Sequence, residues 1–221
     1  MIKLIINSYL IGSIPFAYIF ARKWANVDLR EKGSRNVGTT SVFQQAGVLP
    51  GVMTAVCDAG KGIVAALLGS STLAVGGGIL GLVFAIVGHN WPIWLGFHGG
   101  GGLATFIGGM LVLSEWWVIL VLLAIWGLLY LVVKNHDRSA CIACSVAPFV
   151  LGLLHSSWTH FFLGLGSSFV IGIKRVASLW HKKKLKNQQE QQERQEHQGP
   201  QGPPGPKAPQ GTVQVLDARH A

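Results

Sequence analysis

Four long stretches of this chain carry no Lys, Arg, Asp or Glu, and they set its environment before any motif is read. They cover residues 4–21, 62–114, 116–133 and 139–173, where the only basic side chains are the imidazoles of His89, His98, His155 and His160. A soluble domain covers itself with a surface that is about 25–35% charged. Here only 12% of all residues are charged, while 50% are hydrophobic. A helix crosses a bilayer with about 20 predominantly apolar residues, so these stretches accommodate several crossings. A soluble all-helical domain with a large core is excluded, and the chain reads as an all-α integral membrane protein, a polytopic helical bundle.

Helices are expected near 4–21, 50–69, 73–88, 103–114, 117–133, 140–154 and 161–175. The second and third are split by Gly69-Ser70-Ser71-Thr72, although the run 63–87 also fits one long helix. Residues 26–46 read as a polar, basic loop, and the Gly-rich residues 96–102 as a break. About seven crossings place the N-terminus outside and the C-terminus in the cytoplasm. Arg22, Lys23, Arg30, Lys32, Arg35, Lys134, Arg138, Lys174 and Arg175 then all fall on the inner face, as the bias of Lys and Arg toward cytoplasmic loops requires. A six-helix count would put the first basic loop and the basic tail on opposite faces. The net charge of +9 is therefore a matter of orientation and contact with anionic lipid, and nucleic acid is not an expected partner.

The first apolar run lacks a small-x-small cleavage site and contains Gly12 and Pro15, so it reads as a retained spanning helix rather than a signal peptide. Cys141 and Cys144 form a C-x-x-C inside an apolar segment, with no second pair to complete a zinc site. With Cys57 they read as small packing residues, and no metal is expected. Domain organisation is a membrane domain over 1–180 and a tail over 181–221. The tail is basic, then Gln-rich, then Gly/Pro-rich; its few Gly-x-y triplets are too short for a collagen helix and read as polyproline-like disorder.

Polar groups are sparse in such a chain, and they cluster. Ser13 sits between Gly12 and Pro15, where a kinked structural helix and a backbone opened toward a polar cavity explain the pattern equally well. Residues 32–41 combine Lys32, Gly33, Ser34, Arg35, Asn36, Gly38, Thr39, Thr40 and Ser41. That density of glycine, hydroxyl and amide suits an anion held by backbone N–H groups, and equally a solvated turn with a helix cap. Gly88-His89-Asn90-Trp91-Pro92 leads to Phe97-His98 and Gly99 through Gly102, followed by Thr105. Here a His beside a Gly-rich helix start can orient or protonate a substrate, or the segment is simply a flexible break. Asp58 and Lys61, three apart in an apolar helix, are able to pair on one face; at bilayer depth such charges mark either a structural pair or a site. On seven crossings the second and third clusters share the cytoplasmic side.

In their order these pieces resemble the bacterial acyl-phosphate-dependent glycerol-3-phosphate acyltransferases, the PlsY family. The matching pieces are Gly12-Ser-Ile-Pro15, Gly33-Ser-x-Asn-x-Gly-x-Thr40, Asp58-x-x-Lys-Gly62, and Gly88-His-x-x-Pro92 leading to Phe97-x-Gly-Gly-x-Gly-x-Ala-Thr105. The resemblance covers about residues 9–110. It implies a multi-pass enzyme of the bacterial inner membrane, without cofactor or metal, in phospholipid biosynthesis. Such an enzyme transfers a fatty acyl group from acyl phosphate to the 1-hydroxyl of glycerol 3-phosphate, giving lysophosphatidic acid. Its partners would be these two substrates, membrane lipid and the enzyme that supplies acyl phosphate. The resemblance gives His89 and Ser34 catalytic roles. It gives substrate-binding roles to Ser13, Asn36, Gly38, Thr40, Lys61, Asn90, Gly99, Gly100, Gly102 and Thr105.

The departures from the family pattern are specific. Gly101 stands where the family usually has Lys, His98 where it has a basic residue, and Ser41 and Gln44 where it has Asn and Arg. The Asn, His and Glu of the family's last helix find only Ile173-Lys174-Arg175 and His181 here. Losing one transition-state donor can cost 10²–10³ in rate, so Arg35 and Lys32 are singled out as compensating cations beside the retained motifs. The departures also leave open a weakened paralogue that binds lipid or regulates an active partner. A transporter built on broken helices is the third reading, although no inverted repeat supports it.

Overall fold

The computed structural model describes residues 1–33, 35–73, 76–113, 116–134 and scattered positions between 139 and 194. Among the described residues there is no strand. The chain divides into Met1–Lys182 and Lys183–Ala221, and everything that follows lies in the first unit. Among the described residues three helical segments are long and apolar enough to cross a membrane: Ile2–Ala25, Val48–Thr72 and Gly77–Leu95. The expected helices 140–154 and 161–175, the C-x-x-C pair and the tail fall largely or wholly outside the described residues.

The first segment is two helices, α1 (Ile2–Ser13) and α2 (Phe16–Ala25), parted at Ile14 and Pro15. Pro15 has no N–H to continue the ladder, so the break expected around Gly12 and Pro15 is real. α2 ends at Asn26, which takes the left-handed conformation that Asn tolerates. The segment expected to be loop from 26 to 46 contains a further helix, α3 (Thr39–Ala46). Its tertiary packing explains it: Val42 is fully buried in a cluster with Ala17, Ala21, Leu29, Val37 and Leu95, and packing of an apolar face stabilises helices too short to stand alone.

α4 (Val48–Thr72) reverses the pattern of a soluble helix. Its branched apolar residues Val52, Val56, Val64 and Leu67 are exposed, while Thr54, Asp58, Lys61, Ala65, Ala66 and Gly69 are buried. The apolar stripe suits lipid and the small and polar stripe faces the protein, as membrane helices require. α4 ends at Leu73, whose backbone is extended, and α5 (Gly77–Asn90) opens after Gly76 in the left-handed region, so the single helix over 63–87 is excluded. The chain then makes a 3-10 turn (Ile93–Leu95) and continues into α6 (Leu103–Leu113) and α7 (Trp116–Val133).

α1, α4, α5 and α6 form the packed centre, and glycine sets their spacing. A Cβ on Gly12 would meet the Ala85 carbonyl of α5, and one on Gly62 the Thr105 carbonyl of α6. Leu82, Ile86, Phe106, Met110, Ile119 and Ile171 fill the apolar core behind this contact.

Candidate functional site

The break in the first segment, the middle of α4 and the end of α5 meet at one cleft. It is lined by residues 12–17 and by Val37, Asp58, Lys61, His89, Pro92, Leu95 and Gly99. With about 10 Å³ of room it accommodates roughly one water.

Its charged part is a chain of three groups. Lys61 Nζ lies 2.9 Å from Asp58 Oδ1, one helical turn away, with side chains only 3% and 1% exposed. Lys61 also donates to the Ile14 carbonyl at 3.1 Å, one of the groups freed by the break before Pro15, and its ammonium lies 5.8 Å from the Phe16 ring centroid. The same Asp58 Oδ1 stands 3.6 Å from His89 Nδ1. That is longer than a hydrogen bond, but it turns the Nδ1 edge of the ring toward the carboxylate. The other edge faces Gly100, where a Cβ would strike His89 Nε2 and sit 2.8 Å from the Val37 carbonyl. A carboxylate on the Nδ1 side favours the tautomer with its lone pair on Nε2.

The Gly-rich segment folds back on the end of α5. Gly99 N–H donates to the Asn90 carbonyl at 3.2 Å and Gly100 N–H to the His89 carbonyl at 3.1 Å. These carbonyls are among those a helix end leaves unpaired, so two N–H groups that sequence alone offers to an anion instead seal α5. The N–H groups of Gly101 and Gly102, just before α6, carry no backbone partner among the described residues. A Cβ on Gly38, which opens α3, would come within van der Waals contact of Gly100 and Gly101. The second and third clusters of the sequence thus converge.

The remaining expected site residues are placed as follows. Ser13 is fully buried at the cleft, and its Oγ has no hydrogen-bond partner among the described residues. Asn90 is buried and donates through Nδ2 to the Val170 carbonyl at 3.3 Å, with Oδ1 left over beside Gly102. Thr105 is buried at the α4–α6 contact rather than in the cleft wall. Asn36 is partly buried, while Thr40, Lys32 and Arg35 are exposed and line no part of the cleft. Ser34 lies outside the described residues. Two connections had little sequence signal, being set by tertiary contact: the approach of Asp58 to His89, and the Tyr9 hydroxyl donating to the Trp91 carbonyl at 2.9 Å. Among the described residues no cluster of His, Cys, Asp and Glu is arranged to hold a metal.

The family model for glycerol-3-phosphate acyltransferase matches residues 2–188. Glycerol-3-phosphate acyltransferase 2 of Moorella thermoacetica is 38% identical over 162 residues, covering 71% of this chain and 80% of its own. The glycerol-3-phosphate acyltransferase of Carboxydothermus hydrogenoformans is 32% identical over 178 residues, covering 77% and 90%. The crystal structure of PlsY (YgiH), an integral membrane glycerol 3-phosphate acyltransferase, in its glycerol 3-phosphate form, superposes with a TM-score of 0.72. It is 28% identical, over 80% of this chain and 89% of that one. Its lysophosphatidic acid form gives 0.69 at 25% identity. The chain belongs to the glycerol-3-phosphate acyltransferase family and is a membrane acyltransferase.

Proposed function

We propose that this protein transfers a fatty acyl group from acyl phosphate to the 1-hydroxyl of glycerol 3-phosphate, giving lysophosphatidic acid at the cytoplasmic face of a bacterial inner membrane. Seven crossings, with the N-terminus outside and residues 181–221 a disordered cytoplasmic tail, go with this reading. The observation that carries it is the approach of Asp58 to His89, which meets Gly99 and a Ser13 hydroxyl unpartnered among the described residues at one cleft, with the next glycine, Gly100, against the His89 ring. An orphan hydroxyl buried beside a histidine calls for a polar ligand.

Acyl phosphate is already activated, so the protein's task is to bring the hydroxyl to the acyl carbonyl carbon and to stabilise the charge that develops. The new ester bond forms to that carbon as its bond to the phosphate oxygen breaks, and phosphate departs with the electron pair. His89, with its lone pair on Nε2, takes the hydroxyl proton. Ser34 and Asn36, with the N–H groups of Gly101 and Gly102, hold the phosphates. No cofactor or metal enters the scheme. The acyl phosphate comes from a separate enzyme, which is a natural partner at the same membrane face.

The test is to supply acyl phosphate and glycerol 3-phosphate to the purified protein and follow phosphate release and lysophosphatidic acid. Product is expected, falling about 10²–10⁴-fold in His89→Ala and strongly in Ser34→Ala. No product from folded protein, beside an active family member as control, would overturn the reading in favour of a binding paralogue.

A further inference from the structure

The site is short of positive charge for a reaction that brings two phosphates together. Lys61 is the one lysine or arginine lining the cleft among the described residues, and Asp58 already neutralises it at 2.9 Å. Lys32 and Arg35 are exposed on the loop before α3. A phosphate already held by hydroxyl, amide and backbone N–H groups is bound more strongly when a cation that no carboxylate has claimed joins them.

One such cation stands at the end of α5. Residues 169–174 are helical and are tied to α5 at two points. Asn90 Nδ2 donates to the Val170 carbonyl at 3.3 Å, and Ile171, 1% exposed, packs into the core with Leu82 and Ile86. One turn beyond Val170, Lys174 brings its Nζ 5.7 Å from the Trp91 ring centroid. Trp91 is itself held through its carbonyl by the Tyr9 hydroxyl, and it caps the end of α5 two residues beyond His89. Lys174 is partly buried, and no carboxylate pairs with it among the described residues. An aromatic face attracts an ammonium without neutralising it, so the N–H donors of Lys174 stay available to an anion.

We infer that Lys174, seated on Trp91, is the cation that holds a substrate phosphate beside His89, replacing charge that the Gly99–Gly102 segment does not carry. The inference rests on the acyl-transfer reading, and its test separates the two. The wild-type protein, Lys174→Met and Lys174→Arg are compared for the KM of each substrate and for kcat. In parallel, calorimetry measures binding of glycerol 3-phosphate and of a non-transferable acyl phosphonate. Lys174→Met is expected to raise the KM and Kd of one substrate about ten-fold or more, with a smaller change in kcat. Lys174→Arg keeps the charge and should restore most of the loss. A rise confined to glycerol 3-phosphate assigns the acceptor's phosphate to Lys174; one confined to the acyl compound assigns the donor's.

Turnover with both KM values unchanged in Lys174→Met would overturn the inference alone, leaving Lys174 a headgroup-facing lysine. A collapse of kcat that Arg does not rescue, with KM unmoved, would overturn it as a structural effect. Lys174-dependent binding without turnover would support the phosphate contact while overturning acyl transfer. A folded wild-type protein that neither binds nor turns over would overturn both.

Discussion

Two aspartates among the described residues are paired with cations, and they live in different worlds. Asp28 lies in the loop after α2 and is gripped by Arg30: Nη2 to Oδ2 at 2.7 Å, Nε to Oδ1 at 3.0 Å, and the Arg30 backbone N–H to Oδ1 at 3.0 Å. The Arg30 side chain is 40% exposed. Asp58 lies in the middle of α4, and neither it nor its partner Lys61 reaches solvent. The better-formed pair is the less consequential one. Water screens Arg30 and would hydrate it if Asp28 were lost, whereas Lys61 would be left with little more than the Ile14 carbonyl and the Phe16 ring around its charge. A pair's energetic weight follows the surroundings of the partner it would strand, more than the number of its hydrogen bonds.

The sharpest break of this comparison is Asp58→Asn. Removing one partner of a buried pair costs about 3–5 kcal/mol, so a large fall in thermal midpoint in detergent is expected. Lys61→Met should do comparable damage by stranding Asp58, and Asp58→Asn with Lys61→Met should recover much of the midpoint. Activity should not recover in the double variant, because His89 still lacks its carboxylate. A double variant as unstable as either single one would show that the pair is not what stabilises this depth of α4. Recovery of full turnover would show that Asp58 does nothing for His89.

A milder substitution separates the two roles of Asp58 without touching it. Gly100→Ala would press a methyl group against His89 Nε2 and the Val37 carbonyl. Overpacking of this kind costs about 1–3 kcal/mol, so the protein should remain folded while turnover falls more than ten-fold through displacement of the imidazole. Thermal melting and turnover on the same preparation check this. Undiminished turnover would mean that His89 works from another orientation than the one Asp58 and Gly100 define.

Sequence and structure part company at instructive places. Uncharged runs declare the membrane because charge is so costly there, and the Gly12–Pro15 break follows from a missing N–H; both are local causes, legible from residue types. The i, i+3 spacing of Asp58 and Lys61 is local too, so the pair could be anticipated. Its third member could not, since His89 reaches Asp58 through the packing of α5 on α4, where Gly81 lies against the Ala65 carbonyl and Gly77 against that of Gly69. The short helix α3 escaped for the same reason: Thr39–Ala46 is too short and polar to announce itself, and it is burial of Val42 against α2 that makes it a helix. Glycines 99 and 100 were legible as important but not as to why. Their N–H groups close the end of α5, a role no spacing rule encodes.

The smallest effect belongs to Asp28, and its pH dependence is where the two pairs should differ most plainly. Hydrogen bonds from Arg30 hold the Asp28 carboxyl down to about 2, from an ordinary value of 3.8. A group with a depressed pKa in the folded state contributes stability that is complete above its unfolded value and is lost as the pH falls through the folded one. The contribution of Asp28 should therefore be constant from neutral pH down to about 5 and fade between about 4 and 2. Asp28→Asn keeps an acceptor for the Arg30 N–H and removes chiefly the charge, so its cost at neutral pH is expected at about 1 kcal/mol or less. Melting curves of wild type and Asp28→Asn across this range should run a small, parallel distance apart and converge only in strong acid. High salt should narrow the gap at any pH, because Arg30 is open to counterions. A gap that instead widened on acidification, or resisted salt, would mean that Asp28 is shielded as Asp58 is, and the contrast between the loop pair and the membrane pair would have to be abandoned.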